Sequence, residues 1–201
     1  MESFNDYSLW NALKQGDKDA LSTLYFHFYN HLYEYGYRLC QDEHLVKDKI
    51  QDLFVKLWVK RDTLAQEVNV QSYLLGSLRN SLNEQYRTET NRGKIIQLYK
   101  NTLENEFSLE FELIKLEQET INVNKLHEAL SLLTPKQREV IYLRYFEEVS
   151  YEEIAKVMDI QTKAVYKLSA RALERLKEIM NVSDQDLLMT LILLQISSLK
   201  R

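Results

Sequence analysis

The sequence predicts an all-α protein: two small helical domains joined by a linker, the C-terminal one a helix-turn-helix, with an apolar C-terminal helix after it. Three observations carry this. Four glycines and one proline in 201 residues leave little material for the turns of an all-β fold. Long runs rich in leucine, lysine and glutamate repeat their apolar residues at helical spacing. Near the C-terminus two capping boxes open consecutive helices, and only Asp159-Ile160-Gln161 separates the second of them from a third.

Composition narrows the classes of function. A 45% hydrophobic, 28% charged chain is globular and can bury two modest cores. The single cysteine, Cys40, cannot form an internal disulfide, and no Cys/His cluster has metal-ligand spacing, so neither a metal nor a cofactor is expected. The first residues lack a signal-peptide profile, and no apolar run reaches membrane-spanning length. A cytoplasmic location without membrane insertion is expected. The net charge of −4 is informative too, because a chain gripping nucleic acid unaided would carry a basic excess. Any such affinity must be local, or borrowed from a partner.

In chain order, Asn5 to Gln15 reads as a short helix ended by Gly16, and Asp17 caps the next. On that second helix Leu21, Leu24, Tyr25, Phe28, Leu32, Tyr35 and Leu39 keep a helical spacing, and Phe26, Tyr29, Tyr33 and Tyr37 broaden the face. We read all of these as the buried seam of a bundle. His27, His31 and His44 are too scattered to act as ligands. Asp42 caps a third helix, Glu43 to Lys60, with Val46, Ile50, Leu53 and Leu57 inward and Asp48, Gln51, Asp52 and Lys56 outward. Lys60 to Gln71 is polar and breaks the period, so a loop is expected before a fourth helix from Ser72 to about Arg87. Arg79, Asn80 and Arg87, with Arg92 and Lys94 beyond, place cations and an amide on this part of the chain. From Ile95 to Asn124 the chain is rich in glutamate and asparagine and only loosely periodic, as suits a linker.

Thr134, Pro135 and Gln137 form a capping box with proline at the first helical position, where its missing N–H costs nothing. Ser150 and Glu153 repeat the box for a short helix carrying Ile154, Ala155 and Met158 on one face. Ile154, Ile160, Val165 and Leu168 are available to pack the corner. On the third helix Val165, Leu168, Ala172, Leu176 and Ile179 face inward, while Lys163, Lys167 and Arg171 fall on the opposite side. Arg175 drifts toward the border, since each four-residue step rotates by about 40°. After Asn181 a leucine-rich helix leaves almost no polar face and must be covered. It either completes the C-terminal core or folds back to restrain the two domains; self-association is a third outcome.

These residues carry a resemblance. The opening LTPKQREV, the helix SYEEIAKVM, and Ser169-Ala170-Arg171-Ala172 with Leu176 resemble region 4 of bacterial RNA polymerase sigma factors, in the extracytoplasmic-function (ECF) group of the sigma-70 family. Upstream, Asp48, Gln51, Asp52, Phe54 and Trp58 are similar to the D-x-x-Q-[DE]-x-F-x-x-x-W signature of region 2. Tyr73-Leu74, Arg79-Asn80 and Tyr86-Arg87 are similar to the family's promoter-melting segment. The resemblance covers roughly residues 5 to 180 and omits the apolar tail. The turn departs from the pattern, with Asp159 where the family has glycine, and Gln161 replaces the usual serine, which leaves Thr162 as the expected cap.

The resemblance implies region 2 over 1–94, a linker over 95–124, region 4 over 125–180 and an extension over 181–201. It implies polymerase binding through Asp48, Gln51, Asp52, Phe54 and Lys56, and DNA binding through Arg79, Asn80, Arg87, Thr162, Lys163, Tyr166, Lys167 and Arg171. The implied partners are core RNA polymerase and promoter DNA, with room for an anti-sigma factor. Family members place a flipped base in the loop before the fourth helix, here Arg61 to Gln71. No enzymatic role is expected, since the chain offers neither a metal-binding carboxylate cluster nor a positioned nucleophile. The alternative is a stand-alone helix-turn-helix regulator, which the region-2 pattern and the acidic net charge disfavour. A purely structural helical protein would make the cationic stripe incidental, and the paired caps argue against that.

Overall fold

A computed structural model describes residues 6–91, 125–126, 128–183 and 185–191. The expectations for the linker, for Arg92 and Lys94, and for 192–201 lie outside these residues. The described elements are helical throughout. The chain divides into two compact units, one formed by Met1–Leu98 with Lys156–Met158 and the other by Tyr99–Ala155 with Asp159–Arg201.

The N-terminal unit packs four helices: α1 (Asp6–Lys14), α2 (Lys18–Cys40), α3 (Glu43–Val59) and α4 (Val70–Asn91). Asp17 starts α2 as expected, its Oδ1 accepting from the N–H groups of Asp19 at 2.8 Å and Ala20 at 3.1 Å. Asp42 starts α3 by accepting from the Leu45 N–H at 3.0 Å. Trp10, Leu24, Leu32, Tyr35, Ile50, Leu74 and Leu78 are fully buried between the helices. Gly36 allows their close approach, because a Cβ there would stand 2.9 Å from Val46 Cγ1 and 3.3 Å from Leu78 Cδ2.

Two expectations need correction here. The fourth helix begins at Val70 rather than Ser72, since Asn69 supplies an unrecognised cap: its Oδ1 accepts from the Ser72 N–H at 2.9 Å. The aromatic residues of α2 are not one buried seam. Phe26 is 77% exposed. Tyr25, Tyr29, Tyr33 and Tyr37, all half-buried, form a ladder along the helix, with centroids 5.4, 6.2 and 6.1 Å apart in succession. Lys47 of α3 lies over the Tyr33 ring. Each four-residue step brings one ring over the next along the helix, and a tyrosine can cover apolar surface with its ring while its hydroxyl stays toward water.

The C-terminal unit contains α5 (Pro135–Tyr145), α6 (Tyr151–Met158) and α7 (Thr162–Met180). The Thr134 box closes in both directions: its N–H donates to Gln137 Oε1 at 3.0 Å, and the Gln137 N–H donates to Thr134 Oγ1 at 3.4 Å. Ser150 Oγ accepts from the Glu153 N–H at 3.2 Å to start α6. Asp159 adopts the left-handed backbone that the turn demands, with φ of 53°. Thr162 is not the cap of α7. The helix starts at Thr162 itself, Gln161 occupies the cap position, and no side chain there bonds to the first turn.

The core of this unit joins Leu126, Leu130 and Leu133 to Ile141, Ala172, Leu176 and Met180, and it includes Leu187 and Leu191. The described part of the apolar tail, helical at 185–191, therefore completes the C-terminal core. Arg138 secures the chain before α5. Its Nε donates to the Leu130 carbonyl at 3.0 Å, and one terminal nitrogen donates to the Ser131 and Leu133 carbonyls at 2.8 and 3.2 Å. Burial lowers the guanidinium pKa from its ordinary value.

Candidate nucleic-acid and partner interface

Three surfaces hold the expected site residues. On α3, Asp48, Gln51 and Asp52 are exposed and point away from the core formed by Val46, Ile50, Leu53 and Leu57. Between them stand Val55, 55% exposed, and Val59, 67% exposed. Their spacing from Asp48 and Asp52 puts these two apolar residues on an otherwise polar face. Phe54 does not join this surface. It lies about 120° around the helix from Asp48, is buried, and packs edge-on against Tyr25 at 5.0 Å. It supports α3 from inside.

Lys56 is exposed at the border between that face and a cleft of about 170 Å³. The cleft is lined by Leu53, Lys56, Leu57, Lys60, Leu64, Tyr73, Ser77 and Ser81. Its outer wall is the connection to α4. A 3-10 turn, Arg61–Thr63, opens that connection, and Leu64 is buried behind it. Arg61 is committed locally: its guanidinium lies 4.7 Å over the Trp58 ring and donates to the Trp58 carbonyl at 2.9 Å. Trp10 Nε1 donates to the Ala65 carbonyl at 3.0 Å and so ties the loop to α1. On α4, Asn80 and Arg87 are exposed and share one face, two turns apart. Arg79 sits about 100° around from Asn80 and is half-buried.

The third surface is α7. Lys163, Tyr166, Lys167 and Arg171 are exposed along its outer side, while Val165, Ser169, Ala172, Leu176 and Met180 are buried. Thr162 is half-buried at the helix start. Arg175 is exposed and pairs with Glu178 at 3.1 Å. Tyr166 is supported from α6, where its ring lies 4.5 Å from that of Tyr151 and its hydroxyl donates to Glu152 Oε1 at 3.4 Å. Tyr151 shares a hydrogen bond with Ser169 Oγ at 3.1 Å and sits under the Arg144 guanidinium at 5.1 Å. The Glu152 carboxylate also raises the pKa of the Tyr166 hydroxyl. Sequence reading missed Arg144, Tyr151 and Glu152. Their signal was present in the position of Tyr151-Glu152 at the start of α6, but which side of α7 they meet depends on the crossing of the two helices.

The arrangement is a helix-turn-helix whose second helix presents a cationic outer face, attached by sequence to a helical bundle with an acidic helix face. Family models for sigma-70 region 2 match residues 24–92 and for sigma-70 region 4 match residues 124–176. The chain belongs to the sigma-70 family. Among its relatives is the ECF RNA polymerase sigma factor SigX of Bacillus subtilis, 22% identical over 85% of this chain and 89% of that one. The RNA polymerase sigma factor YlaC of the same organism is 24% identical over 84% of this chain and 96% of its own. The fold is similar to that of CnrH, solved with the cytosolic domain of CnrY, with a TM-score of 0.59 and 21% identity over 88% of this chain and 97% of that one. It is equally similar to that of the sigma factor RpoE of Bartonella quintana, solved with the anti-sigma factor NepR, at TM-score 0.59 and 22% identity over 81% and 97% of the two chains. This ECF sigma factor functions in promoter recognition and transcription initiation, with core RNA polymerase and promoter DNA as partners of regions 2 and 4. Sigma factors are non-catalytic initiation factors. No described helix is long and apolar enough to cross a membrane.

Proposed function

We propose that this sigma factor divides its work among the three surfaces, within a layout of region 2 over 1–94, linker over 95–124, region 4 over 125–180 and extension over 181–201. The outer face of α3 docks on the clamp of core polymerase through Asp48, Gln51 and Asp52, with Val55 and Val59 as its apolar centre and Lys56 at its edge. Asn80, Arg87 and the half-buried Arg79 hold the opened strand, and the cleft beside Tyr73 receives a flipped base. Lys163, Tyr166 and Lys167 of α7 face base edges in the upstream element, and Arg171 faces the phosphates. The protein acts in the cytoplasm, where the polymerase supplies all phosphodiester chemistry. An anti-sigma factor regulates it, as the two fold neighbours were each solved with a binding partner.

The observation that carries the reading is the exposed Asp48, Gln51, Asp52, Val55 and Val59 group on one face of a helix whose other face is fully packed. A central hydrogen-bonded carboxylate at such an interface costs about 2–5 kcal/mol when removed. Asp52→Lys is expected to abolish co-purification with core polymerase while leaving the helical circular dichroism and melting curve unchanged. Undiminished co-purification would refute the docking face.

A further inference from the structure

The support given to Tyr166 restricts what it can read. Tyr166 is 50% exposed on the first turns of α7, between Lys163 and Lys167. An unanchored tyrosine there could turn either its hydroxyl or its ring toward a base. Here both ends are engaged from α6. The ring leans on Tyr151, with centroids 4.5 Å apart and planes at 44°, and the hydroxyl donates to Glu152. Tyr151 is itself fixed, by Ser169 on one side and Arg144 on the other. Donating the hydroxyl proton to a base would mean taking it from a carboxylate, and swinging the oxygen around to accept from one would break the ring packing. The free chemistry is the apolar edge of the ring, held in place before any DNA arrives.

The bases display one apolar group in the major groove, the C5-methyl of thymine. The neighbouring carboxylate adds a discrimination. Guanine presents two acceptors there, N7 and O6, and Glu152 would meet them with like polarity. We infer that Tyr166 is a specificity-determining residue that reads a thymine methyl in the upstream promoter element through its ring, with its hydroxyl held back from the bases by its contacts with Tyr151 and Glu152. The inference rests on the assignment of α7 to the major groove.

The test uses the full chain assembled with core polymerase, and an upstream element defined by selection from randomised duplexes. Each thymine of that element is replaced in turn by uracil, which removes only the methyl. At one position uracil is expected to weaken wild-type binding about threefold to tenfold, the scale of one buried methyl group and its contacts. Tyr166→Ala should lose a similar factor on the thymine duplex and no longer distinguish uracil, whereas Tyr166→Phe should behave as wild type. Indifference of the wild type to uracil everywhere, a selected element without thymine, or equal damage from Tyr166→Phe and Tyr166→Ala overturns the inference. Lys163→Ala and Lys167→Ala separate this result from failure of the wider assignment. If they still impair recognition, α7 remains the reading helix and only the methyl contact is wrong; if neither they nor Tyr166→Ala has any effect, the assignment falls as well.

Discussion

The guanidinium of Arg138 reaches back eight residues to the carbonyl of Leu130, with Nε 3.0 Å from the oxygen. With its further bonds to Ser131 and Leu133, one planar fork ends the helical segment before α5 and holds it against α5. Arg138→Lys keeps the charge but lacks the fork. Stranding carbonyls away from water costs about 1–3 kcal/mol, and in a domain of this size about 1 kcal/mol moves the melting temperature by about 4–8 °C. Scanning calorimetry of Arg138→Lys should show a lowered C-terminal transition beside an unaltered N-terminal one. A single unshifted profile would mean that the fork contributes no stability.

Leu191 lies at the far end of the described tail and is fully buried in the C-terminal core. Leu191→Ala is expected to destabilise that unit by about 2–5 kcal/mol, read by urea denaturation. Truncation after Asn181 should leave a C-terminal unit that melts early or aggregates. A truncated protein of full stability that merely becomes more extended in small-angle scattering would reinstate the tail as a restraint between domains.

Gly36→Ala provides a reciprocal test of the N-terminal core. Helix propensity alone favours the alanine by about 1 kcal/mol. The new methyl, however, would meet Val46 Cγ1 at 2.9 Å, and a β-branched valine in a helix has little rotamer freedom to yield. Overpacking of about 1–3 kcal/mol should prevail. Equilibrium unfolding should show Gly36→Ala destabilised, and adding Val46→Ala should cost less than it does in the wild type. Additive losses would show that the two sites do not meet.

The strand-opening role proposed for Asn80 and Arg87 predicts a separation of effects. Asn80→Ala and Arg87→Ala should bind core polymerase normally yet lower permanganate reactivity of promoter thymines, since contacts to each unstacked base are worth about 1–3 kcal/mol. A pre-melted promoter should restore activity. Without that rescue, the residues act at some other step.

Local chemistry was the legible part of this molecule. Asp17, Asp42, Thr134 and Ser150 all cap helices, because a cap needs only its own next few residues. Asn69 worked by the same chemistry and was hidden in a polar loop. What sequence could not resolve was which side of a helix a border residue takes. Phe54 carries a motif position and yet is core, while the tyrosine ladder has core spacing and yet reaches solvent. Arg138 and Glu152 were invisible for another reason: each acts on a different helical segment, so its role exists only once those segments have packed.

The bare start of α7 has a consequence in time. With Gln161 supplying no side-chain acceptor, the leading amides of the reading helix lack the local lock that Thr134 gives α5. That first turn is closed by backbone alone, the Ala164 N–H donating to the Gln161 carbonyl at 2.8 Å, and it opens more often than a turn that a side chain also closes. Amide hydrogen exchange should therefore run faster across the first turn of α7 than across that of α5.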